Sequence, residues 1–197
     1  MPASISILVA EDDPAIARGY QIILQESGYN VVGIANNGEE AISLSSALQP
    51  DLILMDIKMP KLNGLDAARM INENRQGSFI PIVLVTAYAE SSLIQKAKHC
   101  GVLGYLVKPV HLDDLVPAVE LAYSAGQKIN ALEGVVDNLS EELEARKLIE
   151  RAKGLVMKHL KLPEDEAMRL LQRESRRQRI KLKELAKSII ASHAALS

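Results

Sequence analysis

The 197-residue chain has no tryptophan, one phenylalanine and five tyrosines, and all six aromatics (Tyr20, Tyr29, Phe79, Tyr88, Tyr105, Tyr123) lie before residue 124. The last third therefore has no phenylalanine, tyrosine or tryptophan ring on which an unpaired base can stack, which argues against the sheet-type single-strand nucleic-acid binders. Cysteine is nearly absent as well. Cys100 alone allows neither a disulfide framework nor a thiolate metal cluster. The four histidines (His99, His111, His159, His193) are scattered without ligand spacing. No run of about 18 apolar residues occurs, so no membrane span is expected. The opening "MPASISILVA" has no basic segment ahead of its short apolar run and reads as a first strand rather than a secretory leader. The expectation is a cytoplasmic protein with no membrane partner.

What is present is unevenly placed. The net charge is −2, yet Arg146–Lys187 holds 14 Lys and Arg against 6 Asp and Glu, a surplus of +8 that leaves −10 on the rest. "RESRRQRIKLK" at 173–183 is its densest part. Such asymmetry reads either as a module that holds a polyanion or as a solvated helical surface.

Residues before 124 alternate two kinds of segment. Short β-branched runs occur at "SISILVA" (4–10), "NVVGIA" (30–35), "LILMD" (52–56), "PIVLVTA" (81–87) and "GYLVK" (104–108). They are continuously apolar, as strands covered on both faces are. Between them lie helical spacings: Ala15-Ile16-Gly19-Ile23, Ala41-Leu44-Leu48, Leu65-Ala68-Ile71 and Leu93-Ala97. Five such units predict a doubly wound α/β domain with a five-stranded parallel sheet, over 1–123.

A helix is predicted to start near "HLDDLV", with Asp113 and Asp114 in its first turn, which must also contain Pro117 if that residue is to be tolerated. Its pattern continues through Ile129, Leu132, Val136, Leu139 and Leu143 at steps of three and four. That is either one long connecting helix or a dimerising coiled-coil rod, and Gly126 and Gly134 are where it would kink. This linker is placed at 124–137. Residues 138–197 then read as a small three-helix all-α domain. Its first helix ends at Leu162-Pro163, the second covers Glu164 to about Gln178 with Ala167, Leu170 and Leu171 inward, and the third covers Lys181 to about His193 with Leu182, Leu185, Ile189 and Ile190 inward. Lys147, Arg151, Gly154 and Lys158 share one stripe of the first helix, while Leu148, Ile149, Ala152, Val156 and Leu160 face the core.

Ligands of an open α/β sheet sit at the carboxyl ends of its strands. Those ends carry Glu11-Asp12-Asp13, Asp56, Thr86 and Lys108. Side by side, these strands gather carboxylates that repel each other unless a hard cation joins them, and Mg²⁺ suits oxygen ligands. "LVAEDDP", "LILMDIKMPKLNG", "VLVTA" and "GYLVKPV" resemble the receiver domain of two-component response regulators, a flavodoxin-like fold, over about 4–123. The resemblance implies that Asp56 accepts a phosphoryl group from a sensor histidine kinase. Glu11, Asp12 and Asp56, with the backbone carbonyl of Lys58, would hold Mg²⁺. Lys108 and Thr86 would bind phosphoryl oxygens, and Tyr105 would be the switch aromatic that turns inward. Glu11 stands where the family more often has Asp, and it keeps the carboxylate. Lys58 and Tyr88 overhang the phosphoryl position and are expected to slow its hydrolysis.

"RKLIERAKGLVMK…EDEAMRLLQRES…LKELAKSII" resembles the ANTAR domain, an RNA-binding transcription antitermination module, over about 138–195. The resemblance implies binding to paired stem-loops of a leader RNA. Arg151, Ala152, Lys153 and Gly154 are carried over from its motif, and Lys147 and Lys158 are added from the stripe. Arg176, Arg177 and Arg179 are expected phosphate contacts, although the family more often has an apolar residue at the position of Arg176. No nucleophile–base set marks the tail as an enzyme. The alternatives are a DNA-binding regulator, against which no clear helix-turn-helix turn is seen between the last helices, and a regulator whose output binds a protein. Phosphorylation is expected to act by homodimerisation or by unmasking the basic tail.

Overall fold

In the computed structural model, residues 4–73, 75, 77–87 and 100–195 are described. Five strands, β1 (Ser6–Ala10), β2 (Asn30–Ala35), β3 (Leu52–Asp56), β4 (Ile82–Thr86) and β5 (Val102–Val107), form one parallel sheet in the order β2-β1-β3-β4-β5. The α/β expectation holds. The described helices are α1 (Pro14–Glu26), α2 (Gly38–Leu48), α3 (Gly64–Glu73), α4 (Leu112–Leu160), α5 (Glu164–Gln178) and α6 (Leu182–Ala195). The spacing Leu93-Ala97 and the proposed role of Tyr88 lie outside the described residues. The chain divides into two compact units, Met1–Leu132 and Glu133–Ser197.

The sheet of the first unit shows why its sequence is continuously apolar. Alternate residues of each central strand point to opposite faces. Leu8, Ile53, Met55, Ile82 and Leu84 pack with Ala41, Ala67, Ala68 and Ile71 of α2 and α3. Ile7, Val9, Leu52, Leu54, Val83 and Val85 pack on the other face with Tyr20, Leu24, Leu115, Val119 and Ala122 of α1 and α4. Each such aliphatic side chain contributes roughly 1.5–3 kcal/mol on full burial. The edge strands β2 and β5 are only partly covered.

Two details depart from the sequence reading. α1 buries Ala17, Tyr20 and Leu24, while Ile16 of the expected stripe is exposed. The expected set lies about a third of a turn away from the face that the sheet covers. In α4, Pro117 lies inside the helix, beyond its first turn. It forgoes one backbone bond, to the carbonyl of Asp113, at an exposed position.

α4 runs without a break through both of its glycines. Gly126 packs on Pro81, where an added Cβ would lie 2.8 Å from the ring Cγ, so a side chain is excluded there. Gly134 faces open space. Beyond Ile129, the heptad residues Leu132, Val136, Leu139 and Leu143 are all exposed, as is Val135. Among the described residues, no helix is long and apolar enough to cross a membrane.

In the second unit, Ala152 of α4, Ala167 and Leu171 of α5, and Leu185 and Ala186 of α6 form a small buried core. Leu170, Leu182, Ile189 and Ile190 are half-buried at its margin. Leu160, expected inward, is exposed at the last turn of α4. Lys161 is left-handed (φ 54°) at the turn into α5. Arg179 is also left-handed (φ 56°), and its N–H donates to the carbonyls of Arg176 and Ser175. Arg179, Ile180 and Lys181 therefore join α5 to α6 in a three-residue turn, where the sequence showed no clear one. Its signal was a non-glycine left-handed residue, which composition does not betray.

Candidate functional site

The carboxyl ends of β1, β3, β4 and β5 converge as expected. Glu11, directly after β1, is buried (1% exposed) and Asp56, the last residue of β3, is nearly so (7%). Asp12 is exposed beside them. One carboxylate oxygen from each of these three residues lies within 4.8 Å of the others. Asp13 is no member of this cluster. It caps α1, its Oδ1 accepting from the N–H of Ala15 (2.8 Å) and of Ile16 (3.3 Å).

Lys108 follows β5 and crosses the pocket. Its Nζ donates to Glu11 Oε2 at 2.8 Å and to Asp56 Oδ2 at 2.6 Å. Its backbone is fixed by its own N–H, which donates to the Thr86 carbonyl at 2.8 Å. Burial pulls the ammonium's pKa down, but hydrogen bonds to Asp56 and Glu11 together outweigh it, and the net direction is upward. Glu11 is pushed up, by burial first and by the charge of Asp56, against the lowering effect of Lys108. Behind the pocket, Tyr20 is buried, which raises its phenol to about 12. The pocket thus holds a half-buried ammonium shared by two carboxylates, with a third at the rim. All donors are hard oxygens, and the set suits a divalent hard cation such as Mg²⁺.

The neighbours fall in place to differing degrees. The N–H of Lys58 donates to Asp56 Oδ1 at 3.2 Å, so the Lys58 backbone borders the carboxylate while its side chain is exposed. Thr86 ends β4 and is largely buried. Tyr105 on β5 is 50% exposed and points outward. Sequence reasoning missed Gly64. A Cβ there would collide with the carbonyl of Asp56, and the Gly64 N–H donates to the Ile57 carbonyl at 2.9 Å. The glycine lets α3 start against the backbone of Asp56. Its only signal was Asn63-Gly64 ahead of a helical pattern.

The second unit carries the basic residues. Lys147, Arg151, Gly154 and Lys158 are exposed along α4. Lys147 pairs with Glu144 at 2.8 Å on the same surface. An added Cβ at Gly154 would meet nothing within 4 Å, so no described residue of this chain makes the close approach that would explain a glycine. Arg176, Arg177 and Arg179 are exposed at the end of α5, with Arg177 paired to Glu174 at 2.7 Å. Two of the carried-over residues lie off this exposed stripe. Ala152 has no exposed surface and is a core residue. Lys153 is only 9% exposed, and its Nζ lies 2.7 Å from Glu150 and 2.6 Å from Glu164. At about 100° per residue, positions 152 and 153 turn away from the face that holds 147, 151, 154 and 158.

These two arrangements match known proteins. A model of the response regulator receiver domain matches residues 7–120, and a model of the ANTAR domain matches residues 137–190. The transcriptional regulatory protein PdtaR of Mycobacterium tuberculosis is 42% identical over 184 residues, covering 93% of this chain and 88% of its own. The signal receiver domain of a modulated diguanylate cyclase from Desulfovibrio desulfuricans G20 is 33% identical with a TM-score of 0.57, over 63% of this chain and 97% of its own. A CheY-like response regulator receiver domain protein from Methanospirillum hungatei JF-1 is 27% identical with a TM-score of 0.59, over 64% and 98%. The chain belongs to the response regulators: it is not an enzyme but a regulator, in which a receiver domain that takes a phosphoryl group on an aspartate is joined to an ANTAR domain, the RNA-binding module of transcription antitermination.

Proposed function

We propose that Asp56 is the phosphoacceptor and that its phosphorylation controls binding of the second unit to stem-loops of a leader RNA. The observation that carries the first half is Lys108 Nζ at 2.6 Å from Asp56, within a cluster of three carboxylates. Glu11, Asp12 and Asp56, with the Lys58 carbonyl, would hold Mg²⁺, which supplies charge neutralisation for phosphoryl transfer. A carboxylate oxygen of Asp56 forms the bond to phosphorus as the bond from phosphorus to the kinase histidine breaks. Lys108 then moves from Asp56 to a phosphoryl oxygen, and the Thr86 hydroxyl donates to another. Tyr105, now outward, follows Thr86 inward. Lys58 overhangs the acyl phosphate and slows attack by water.

The output half rests on the exposed cations Lys147, Arg151 and Lys158 with Arg176, Arg177 and Arg179, and on the open surface at Gly154. Without phenylalanine, tyrosine or tryptophan, this unit suits folded RNA recognised by shape and phosphates, and binding should depend steeply on salt. Holding a stem-loop that competes with a terminator hairpin lets transcription continue. The exposed seam Leu132, Val136, Leu139 and Leu143 favours homodimerisation as the link, since two joined RNA-binding units meet two hairpins at high effective concentration. The protein would work in the cytoplasm.

The test is binding to a two-hairpin leader RNA at several salt concentrations, with and without a phosphoryl mimic plus Mg²⁺, using Asp56→Ala as control. Tight binding that needs the mimic and is lost in Asp56→Ala is expected. Binding that prefers duplex DNA in competition, or no RNA binding in either state, refutes the output half.

A further inference from the structure

We infer that Lys153 is a positioning residue, which sets the basic end of α5 through Glu164 rather than touching RNA itself. The inference rests on the RNA-binding reading above. Three observations carry it. Lys153 is the most buried cation of the basic region, with 9% of its surface exposed. Its ammonium spans the helix break, 2.6 Å from Glu164 at the start of α5 and 2.7 Å from Glu150 one turn back on α4. The start of α5 has no side-chain N-cap: Pro163 occupies the N-cap position and makes no capping hydrogen bond, so besides the packing of Ala167 the Lys153–Glu164 contact ties it to α4.

Geometry makes that contact matter at a distance. Arg176 and Arg177 lie 12 and 13 residues beyond Glu164 on the same helix. At 1.5 Å per residue they stand about 18–20 Å from the pivot, so a tilt of about 10° at Glu164 moves them by about 3 Å. That shift is comparable to the length of a hydrogen bond to phosphate. The two partners of Lys153 are not equivalent. Glu150 shares its helix and only orients the lysine. Glu164 is the cross-link between helices.

The two roles of Lys153 predict opposite signs for one substitution. If Lys153 contacts phosphate, Glu164→Gln removes an acid near a polyanion and binding stays equal or tightens. If Lys153 positions α5, Glu164→Gln weakens binding as Lys153→Met does. Binding of the full chain, activated with the phosphoryl mimic and Mg²⁺, to the two-hairpin RNA is measured at fixed salt. The expected result is a loss on the order of tenfold, the scale of one lost contact, for each of Lys153→Met and Glu164→Gln. The double variant should be no worse than either, because both remove one interaction. Lys153→Arg keeps the bridge and restores binding. Glu164→Gln binding as well as the unaltered chain overturns the inference, as does additivity of the two losses. Thermal unfolding of the same proteins without RNA separates this from failure of the RNA reading. Should the unaltered chain bind no RNA, non-additive melting shifts for the pair still support the bridge, and additive or absent shifts overturn it.

Discussion

Gly154 offers a substitution whose effects on stability and on function should have opposite signs. A glycine inside a helix costs about 1 kcal/mol against alanine. At this position an added Cβ meets nothing within 4 Å, so no steric penalty offsets the gain. Gly154→Ala should therefore stabilise the second unit by about 0.5–1 kcal/mol, which for a domain of this size raises its melting temperature by about 4–8 °C per kcal/mol. Yet the same methyl group stands between Arg151 and Lys158 on the exposed face. If an RNA backbone lies against that flat spot, it must retreat by the better part of a methyl radius, and the flanking cations lose their reach. One or two weakened contacts cost roughly 1–3 kcal/mol, at least fivefold in affinity. Gly134→Ala is the control, since it too faces open space inside α4 but lies away from the basic stripe. It should stabilise without touching affinity. The assays are thermal unfolding by circular dichroism and fluorescence anisotropy with labelled hairpin RNA at fixed salt. Unchanged RNA affinity in Gly154→Ala refutes the close approach, and a lower melting temperature refutes the helix argument.

The remaining predictions concern both units. Removing the shared ammonium with Lys108→Met leaves two buried carboxylates facing each other and should destabilise the first unit by about 1–3 kcal/mol, with partial recovery in millimolar Mg²⁺ by urea titration; no loss means the carboxylates are neutral or solvated. Glu11 is raised by burial, so its contribution to stability is present in acid and lost as pH rises through its folded value; Mg²⁺ should thus stabilise more at pH 7 than near pH 5. Glu164 is lowered by its hydrogen bond to Lys153, so its contribution is full above about pH 4.5 and fades as pH falls below it; that part of the acid sensitivity should vanish in Glu164→Gln. Leu139→Asp in the exposed seam should abolish activated dimers in sedimentation without lowering the melting temperature, and a monomer in both states of the unaltered chain excludes dimerisation.

Strands and pocket were legible in the sequence because both are periodic or terminal features. A central strand buried on two faces must be apolar throughout, and "LILMD" ends where apolarity stops, at Asp56. The α1 face was misread because two apolar helical stripes overlap in "PAIARGYQIIL", and only packing against the sheet decides between them. The burial of Lys153 was hidden for a related reason. A lysine among arginines reads as surface, yet its long stem lets a charged head reach partners from a half-buried position. Glu164 seemed an ordinary first-turn acid, and nothing local ties it to a residue eleven positions earlier. Gly64 was hidden as well, since close approach is a property of the partner backbone.

Charge balance in the pocket also argues for a switch rather than a passive site. Three carboxylates against one ammonium leave a formal charge of about −2, much of it desolvated. A divalent cation would neutralise it. With Asp56 as the proposed phosphoacceptor, phosphorylation would replace its one negative charge by about two and draw Lys108, which now donates to Glu11 and Asp56, toward the phosphoryl group. Its backbone is tied to the carbonyl of Thr86, the last residue of β4, so a shift of the ammonium loads the same strand end that carries the Thr86 hydroxyl. The neighbouring strand presents Tyr105 outward, 50% exposed, the side chain whose inward turn the proposed switch requires. Weakening the Lys108 link to Glu11 alone, with Glu11→Gln, should therefore shift the resting protein toward the activated state. The measurement is the exposure of Tyr105 by fluorine NMR of fluorotyrosine-labelled protein, and an unchanged Tyr105 signal in Glu11→Gln, with the usual change on adding the phosphoryl mimic to the unaltered chain, would mean that Glu11 serves the cation and plays no part in holding Lys108 back.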